Sequence, residues 1–211
     1  MYLPPHFEET DPRQVYGLID TFPLAILVAQ TEQGLVANHV PLMLQGKHEL
    51  LGHLALNNDL HQLLPSGKEI LAIFRGEDAY ISPNWYPTKP IHHRHVPTWN
   101  YQVVHVYGTI HYQDDDKSKL AVVGKLTKKM EERTHGENAW RMADAPKDYL
   151  NAMLANIIAF RIEITRILGK SKVSQNRETV DFENVAKVLA ERGSAHMAER
   201  MNKISETREE E

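Results

Sequence analysis

The residues best suited to chemistry are imidazoles, aromatic rings and one basic turn. In Gly52-His53-Leu54-Ala55-Leu56-Asn57-Asn58, a strand would put His53, Ala55 and Asn57 on one face and Leu54 and Leu56 on the other. Two hydrogen-bonding groups then flank a small residue, which suits a flat ligand pressed against the strand. A barrel rim with its histidine bonded to backbone suits the pattern too. His39 precedes Pro41 in Ala37-Asn38-His39-Val40-Pro41. Proline favours an edge or bulge there, where side chains are often re-aimed toward a site. His39 and His53 lack an evident third ligand, so the pair predicts no zinc site. His92, His93 and His95 lie too close in sequence to chelate in one regular geometry, and read as a surface loop. His105, Tyr107, Thr109 and His111 share a strand face, with Val104, Val106, Gly108 and Ile110 opposite.

Two proline-held segments carry the rings. Ser82-Pro83-Asn84-Trp85-Tyr86 and Pro97-Thr98-Trp99-Asn100-Tyr101 offer stacking faces in Trp85 and Trp99 and a polar tip in Asn100. They suit a planar ligand, a subunit interface or a hydrophobic lid. Lys170-Ser171-Lys172-Val173-Ser174-Gln175-Asn176-Arg177 gathers three cations and four polar neutral residues. Lys172, Ser174 and Gln175 in such a turn would hold a phosphate by charge-assisted hydrogen bonds; a solvated turn is the plain alternative. No Gly-rich phosphate loop, nucleophile elbow, zinc-protease helix or helix-turn-helix is present, and no catalytic residue is assigned.

These groups need a scaffold, and the pattern predicts a mainly antiparallel α+β fold. A helix over Val15, Leu18, Ile19 and Phe22 opens at Thr10-Asp11-Pro12 and ends at Pro23. Short strands follow at 24–29, 35–44 and 50–56, separated by Glu32-Gln33-Gly34 and Gln45-Gly46-Lys47. Arg75-Gly76-Glu77-Asp78 reads as a hairpin turn between 69–74 and 79–82. Residues 103–112 form the longest strand. Helices are predicted at 117–133 and after Pro146, a strand at 160–165 and a last helix from Asp181. Sequential strands with tight turns suggest a sheet closed into a barrel. The expected organisation is one barrel domain over 1–180, then a C-terminal helix with a frayed tail over 181–211.

Composition narrows the class. The 211 residues include no cysteine, which excludes disulfides and thiolate catalysis. Mean hydropathy is negative and no apolar run approaches the roughly 20 residues of a spanning helix. Met1 to Asp11 hold prolines and acids, unlike a signal peptide, so a cytoplasmic protein is expected. Residues 1–110 carry 6 Lys+Arg and 10 Asp+Glu, residues 111–211 carry 18 and 18, and 10 of 12 histidines lie at or before His111. A net charge of −4 argues against non-specific nucleic-acid binding.

Seven motifs together carry a resemblance. They are Met1 to Phe7, Ala37 to Pro41, Gly52-His53-Leu54-Ala55, Tyr80 to Tyr86, Pro97 to Tyr101, Val104 to Gly108 and Lys172 to Asn176. In this order they resemble the PaiB family, described as FMN-binding negative transcriptional regulators. The resemblance implies a split β-barrel of the FMN-binding type with flanking helices, usually a homodimer with sites at the subunit interface. It implies FMN as cofactor, its phosphate near His53, Asn57 and Lys172 and its ring against Trp85 or Trp99. The strand that carries basic residues in related barrels here carries His53 and Asn57. Regulation, in bacilli of protease and sporulation functions, implies DNA as a partner, directly or through another protein, and no membrane. The alternative is a flavin- or haem-dependent oxidoreductase on the same barrel, with histidines as axial ligands and Tyr101 or His105 as proton donor.

Overall fold

The computed structural model describes residues 1–209. A two-residue strand β1 (Glu8–Glu9) precedes helix α1 (Pro12–Thr21). Asp11 caps α1, its carboxylate accepting the Arg13 backbone N–H at 2.9 Å. Strands β2 (Leu24–Thr31) and β3 (Gly34–Pro41) form a tight hairpin running from Leu24↔Pro41 to Thr31↔Gly34. Then come β4 (Met43–Gln45), β5 (Glu49–Ala55), α2 (Leu60–Leu63), β6 (Lys68–Ile81) and α3 (Lys89–His92). The chain continues through β7 (Thr98–Gln113), α4 (Asp116–His135), α5 (Lys147–Leu154), β8 (Ile157–Lys172), α6 (Thr179–Glu191) and α7 (Ala195–Glu209).

The strands form one sheet in the order β3-β2-β6-β7-β8-β5-β4, with β1 added to β8. This is the split β-barrel with flanking helices that the resemblance implies; the hydrogen-bonded path is open among the described residues, not closed as the strand pattern suggests. The residues cluster into two compact units. The first holds Met1–Leu18, Arg75–Val104 and the described residues from Leu168 on; the second holds Ile19–Phe74 and His105–Ile167.

In the first unit, α6 and α7 bury Phe182, Val185, Leu189, Met197 and Met201 with Ile81, Tyr86 and Val173. In the second, α4 packs Val122 and Leu126, one helical turn apart, on Leu51 of β5 and Ala159 of β8. Gly52 lets β5 approach its partner. A Cβ there would lie 2.6 Å from both Phe160 Cζ and Leu42 Cδ2.

Several expectations are corrected. Arg75-Gly76-Glu77-Asp78 is no hairpin turn but the middle of the continuous strand β6. Gly76 has no positive φ, so the backbone stays extended. β8 is 16 residues long and includes Lys170, Ser171 and Lys172, which read from sequence as a turn. Leu56 does not share the buried face of Leu54 but is 41% exposed, because β5 ends at Ala55. A second helix, α7, runs to Glu209 where a frayed tail is predicted from Ser205; Glu210 and Glu211 lie outside the described residues. His95 is no surface group: its side chain is 5% exposed and its Nε2 lies 2.9 Å from Thr88 Oγ1. The Thr88 hydroxyl donates in turn to the buried Asp181 carboxylate at 2.7 Å.

Candidate cofactor-binding face

The start of β7 and the end of β8 belong to the first unit, and strand alternation sorts their side chains into two sets. Asn100, Gln102, Ser171 and Ser174 are buried, and so is Lys170, 7% exposed. Trp99 is 55% exposed, while Tyr101 and Lys172 are half-buried.

The buried set is a polar clasp. Ser174 Oγ donates to Asn100 Oδ1 at 2.9 Å, and Gln102 Nε2 donates to Ser171 Oγ at 3.0 Å. Gln175 accepts from the Val173 backbone N–H at 2.8 Å and donates to the Ser171 carbonyl at 2.5 Å. Ser174 has φ 65, a left-handed conformation that costs a non-glycine residue about 1–2 kcal/mol. The clasp holds it there. Ser174, Gln175 and Asn100 therefore shape the end of β8. Asn100 Nδ2 and Gln102 Oε1 are buried without a partner among the described residues.

The outer set is cationic and aromatic. Lys170 donates to the Tyr2 carbonyl at 3.0 Å, its Nζ lying 5.2 Å from the Tyr101 ring centre. Lys172 Nζ donates to Thr98 Oγ1 at 2.7 Å and to the Trp99 carbonyl. Arg177 lies over the Tyr86 ring at 5.1 Å. None of these three cations has a carboxylate partner within salt-bridge distance among the described residues. Burial, and then the charges of Lys170 and Arg177, hold the Lys172 ammonium below the usual lysine range. A cavity of about 330 Å³ is lined by Trp99, Tyr101, Arg75 and Asp78, with Tyr80 edge-on to Trp99 at 5.8 Å.

The other sequence-predicted residues lie elsewhere. His39, on β3, is exposed, and Asn57 is exposed in the turn after β5. His53 on β5 and His105 on β7 are half-buried in the second unit. Burial lowers the pKa of both, and each has a buried Nδ1 without a partner among the described residues. Trp85 belongs to the first unit but packs on the helical core, with Arg192 over its ring at 4.9 Å. Its carbonyl accepts from Asn184 at 2.7 Å. The structure thus gathers Trp99, Asn100, Lys172, Ser174 and Gln175, while His39, His53, Asn57 and His105 belong to the other unit. It adds Tyr101, Lys170 and Arg177 to the gathered set. The alternation Lys170-Ser171-Lys172 is the signal for a strand end that points two cations one way.

FMN carries a dianionic phosphate and a planar ring. The outer set meets both needs: uncompensated cations with an uncommitted lysine N–H, and an exposed indole. Phosphate and ring chemistry therefore fit the residues present. Fold and face together define a split barrel of the flavin-binding class.

Comparison with known proteins gives the family. Residues 1–166 match the family described as "Putative FMN-binding domain", and the chain belongs to it. The chain is 31% identical over 194 residues to the "Protease synthase and sporulation protein PAI 2" of Bacillus subtilis (strain 168), covering 90% of this chain and 89% of that one. Among solved structures, the conserved hypothetical protein Rv2991 from Mycobacterium tuberculosis aligns with TM-score 0.60 at 9% identity, over 84% of this chain and 94% of its own. The FAD and heme binding protein from Mycobacterium smegmatis aligns with TM-score 0.56 at 17% identity, over 78% and 73%. At these identities the structural likeness shows the fold alone.

Proposed function

We propose that this protein binds FMN on the face formed by Trp99, Tyr101, Lys170 and Lys172 and acts as a negative regulator of transcription. The observation that carries the cofactor reading is the set of three cations, Lys170, Lys172 and Arg177, without carboxylate partners beside an exposed indole. Such a set is costly in the free protein and is offset by a bound dianion. Lys172 and Arg177 would hold the phosphate, with Lys170 adding charge, and Trp99 or Tyr101 would stack on the ring. The bound flavin would supply a redox-active ring; the chain positions it and limits its contact with water.

The regulatory part is supported by likeness to the Bacillus sporulation protein. A net charge of −4 favours action through a partner protein over broad contact with DNA. Exposed Leu24 and Leu35, at 60% and 73% on the β2–β3 hairpin, support a second copy of the chain as one partner in a cytoplasmic homodimer.

A second reading has its own observation. His53 and His105 are desolvated imidazoles with free, buried Nδ1 atoms, in the neutral form that ligates a haem iron. This supports a flavin- or haem-dependent oxidoreductase. One titration separates the readings. Protein added to FMN is expected to quench its fluorescence at micromolar concentrations, with riboflavin binding at least about tenfold more weakly for want of the phosphate. No quenching at high micromolar protein would sink the FMN reading. A Soret band on adding haemin, shifted in His53→Ala or His105→Ala, would favour the second reading.

A further inference from the structure

Strands β6 and β7 are neighbours in the sheet, and the stretches that belong to the first unit line one cavity. Period two puts Asp78 and Tyr80 on one side of β6, and Trp99 and Tyr101 on one side of β7. Tyr80 meets the Trp99 ring edge-on at 5.8 Å, a contact that fixes the exposed indole. The cavity of about 330 Å³ is lined by two rings, Trp99 and Tyr101, and by one ion pair, in which Arg75 Nη2 donates to Asp78 Oδ2. The pair cancels its own charge, and Lys170, Lys172 and Arg177 are not among the lining residues. The cavity therefore selects by shape and hydrogen bonding, not by net charge. Both members of the pair remain accessible, their side chains 63% and 31% exposed. A guanidinium has five N–H donors and a carboxylate two oxygens, so one bond between them leaves a donor and an acceptor side by side for a ligand.

That lining defines a ligand edge. Two ring walls take a flat ring. A fixed donor beside a fixed acceptor takes an edge on which acceptor and donor alternate. A cyclic imide, with its C=O, N–H and C=O in a row, is such an edge, and the pyrimidine half of the flavin ring carries one. We infer that Arg75 and Asp78 are the residues that select the flavin ring, by reading its imide. Asp78 accepts the imide N–H, Arg75 donates to an adjoining carbonyl, and Trp99 and Tyr101 pack on the ring. The ion pair stays intact on binding, so its two side chains are ordered beforehand and lose little freedom when the ligand arrives. The selection rests on FMN being the ligand of this face, and it divides the work there: cations outside the cavity meet the phosphate, and the neutral pair reads the ring.

The test compares FMN with its N3-methyl analogue, which keeps the phosphate and the ring but replaces the imide N–H by a methyl group. Both are titrated with the intact chain and read by quenching of flavin fluorescence. The methyl analogue is expected to bind at least about tenfold more weakly, as follows when a hydrogen-bonding site is left without its partner. In Asp78→Ala the two ligands are expected to bind within about twofold of each other, with FMN itself weakened. The comparison in the native chain needs no variant to fold. Equal binding of the two flavins by the native chain would overturn the imide reading and leave FMN binding standing. An unchanged preference in Asp78→Ala would overturn the part given to Asp78. No quenching of either flavin would remove the FMN reading and the selection with it. Uridine monophosphate offers the same imide and phosphate on a smaller ring, and is expected to displace FMN at least about tenfold less effectively for want of stacked area. Equal displacement would overturn the flavin as the ring that this cavity selects.

Discussion

One strand carries two kinds of cation. In the middle of β8, Arg161 donates to Glu49 at 3.0 Å and has Glu163 at 3.7 Å. At its end, Lys170 and Lys172 donate to carbonyl and hydroxyl oxygens alone. The first arrangement is complete in the free protein: each charge has its opposite, and the cross-strand pair Leu51↔Arg161 lies next to Glu49↔Glu163. The second carries excess positive charge that only a further anion balances. A cation whose partner is already present supports the fold. A cation without one supports the fold little and leaves its charge available.

Substitution at the two places should separate these roles. Lys172→Glu reverses a charge and removes two hydrogen bonds, so FMN affinity should fall by about 10- to 100-fold, as expected for losing a charge-assisted contact worth about 1.5–3 kcal/mol. Arg161→Met should leave FMN affinity within about twofold. Its cost should appear as stability, about 1 kcal/mol for a half-exposed pair with two acceptors. Fluorescence titration and urea unfolding of both variants decide the matter. An Arg161 variant that loses FMN as completely as the Lys172 variant would erase the distinction.

A smaller effect of opposite sign sharpens it. The Lys172 pKa in the folded protein lies below the ordinary lysine value of 10.5. Between those two values the unfolded chain binds more protons, so stability rises with pH through that window and is lower at neutral pH than it would be without the shift. Lys172→Met removes this cost. Because the side chain is half-exposed, solvent screening limits the gain to about 0.5 kcal/mol, or about 1–2 °C in Tm. Thermal unfolding at pH 7 should show the variant within about 1–2 °C of the wild type, the relieved charge offsetting the two lost hydrogen bonds, while FMN binding is lost. A large fall in Tm would mean that Lys172 holds the clasp together.

The parts of this arrangement differ in how legible they were in the sequence. The hairpins up to β5 follow from turn residues: Gly34 and Gly46 adopt φ of 102 and 62, as Glu-Gln-Gly and Gln-Gly-Lys imply. The α4 stripe is equally direct. Arg75-Gly76-Glu77-Asp78 misleads because its polarity looks like a turn, whereas turn-forming backbone would need a φ that Gly76 does not adopt. Lys170-Ser171-Lys172 misleads for the converse reason. Its polar residues continue a strand because the buried Ser171 finds Gln102 across the sheet. His95 lies in an exposed loop, and its ring turns inward to Thr88, which is itself held by Asp181 on α6. Period and turn chemistry reveal local structure; which polar residue meets which depends on strands far apart in sequence. Hence Lys172, Ser174, Asn100 and Trp99 were nameable as candidates, while the division between clasp and outer face was not.

The second unit supplies the last contrast. His53, like Lys172, has a pKa lowered by burial, but no neighbouring cations add to the effect. Its folded pKa lies below the ordinary histidine value of 6.5, so the unfolded chain binds more protons as pH falls through that value. Stability is therefore fully retained above pH 6.5 and declines below it. His53→Gln keeps a polar side chain of similar reach and removes the titration. Its effect should be on the order of half a kcal/mol, since the ring is half-exposed and His105 responds to acid in the same direction. Urea unfolding at pH 7.5 and pH 5.5 should show a smaller acid-induced loss in the variant, with FMN affinity unchanged at pH 7.5. An unchanged acid loss would mean that burial at His53 is relieved by local opening. A fall in FMN affinity at pH 7.5 would bring His53 into the cofactor site and extend the functional surface beyond the end of β8.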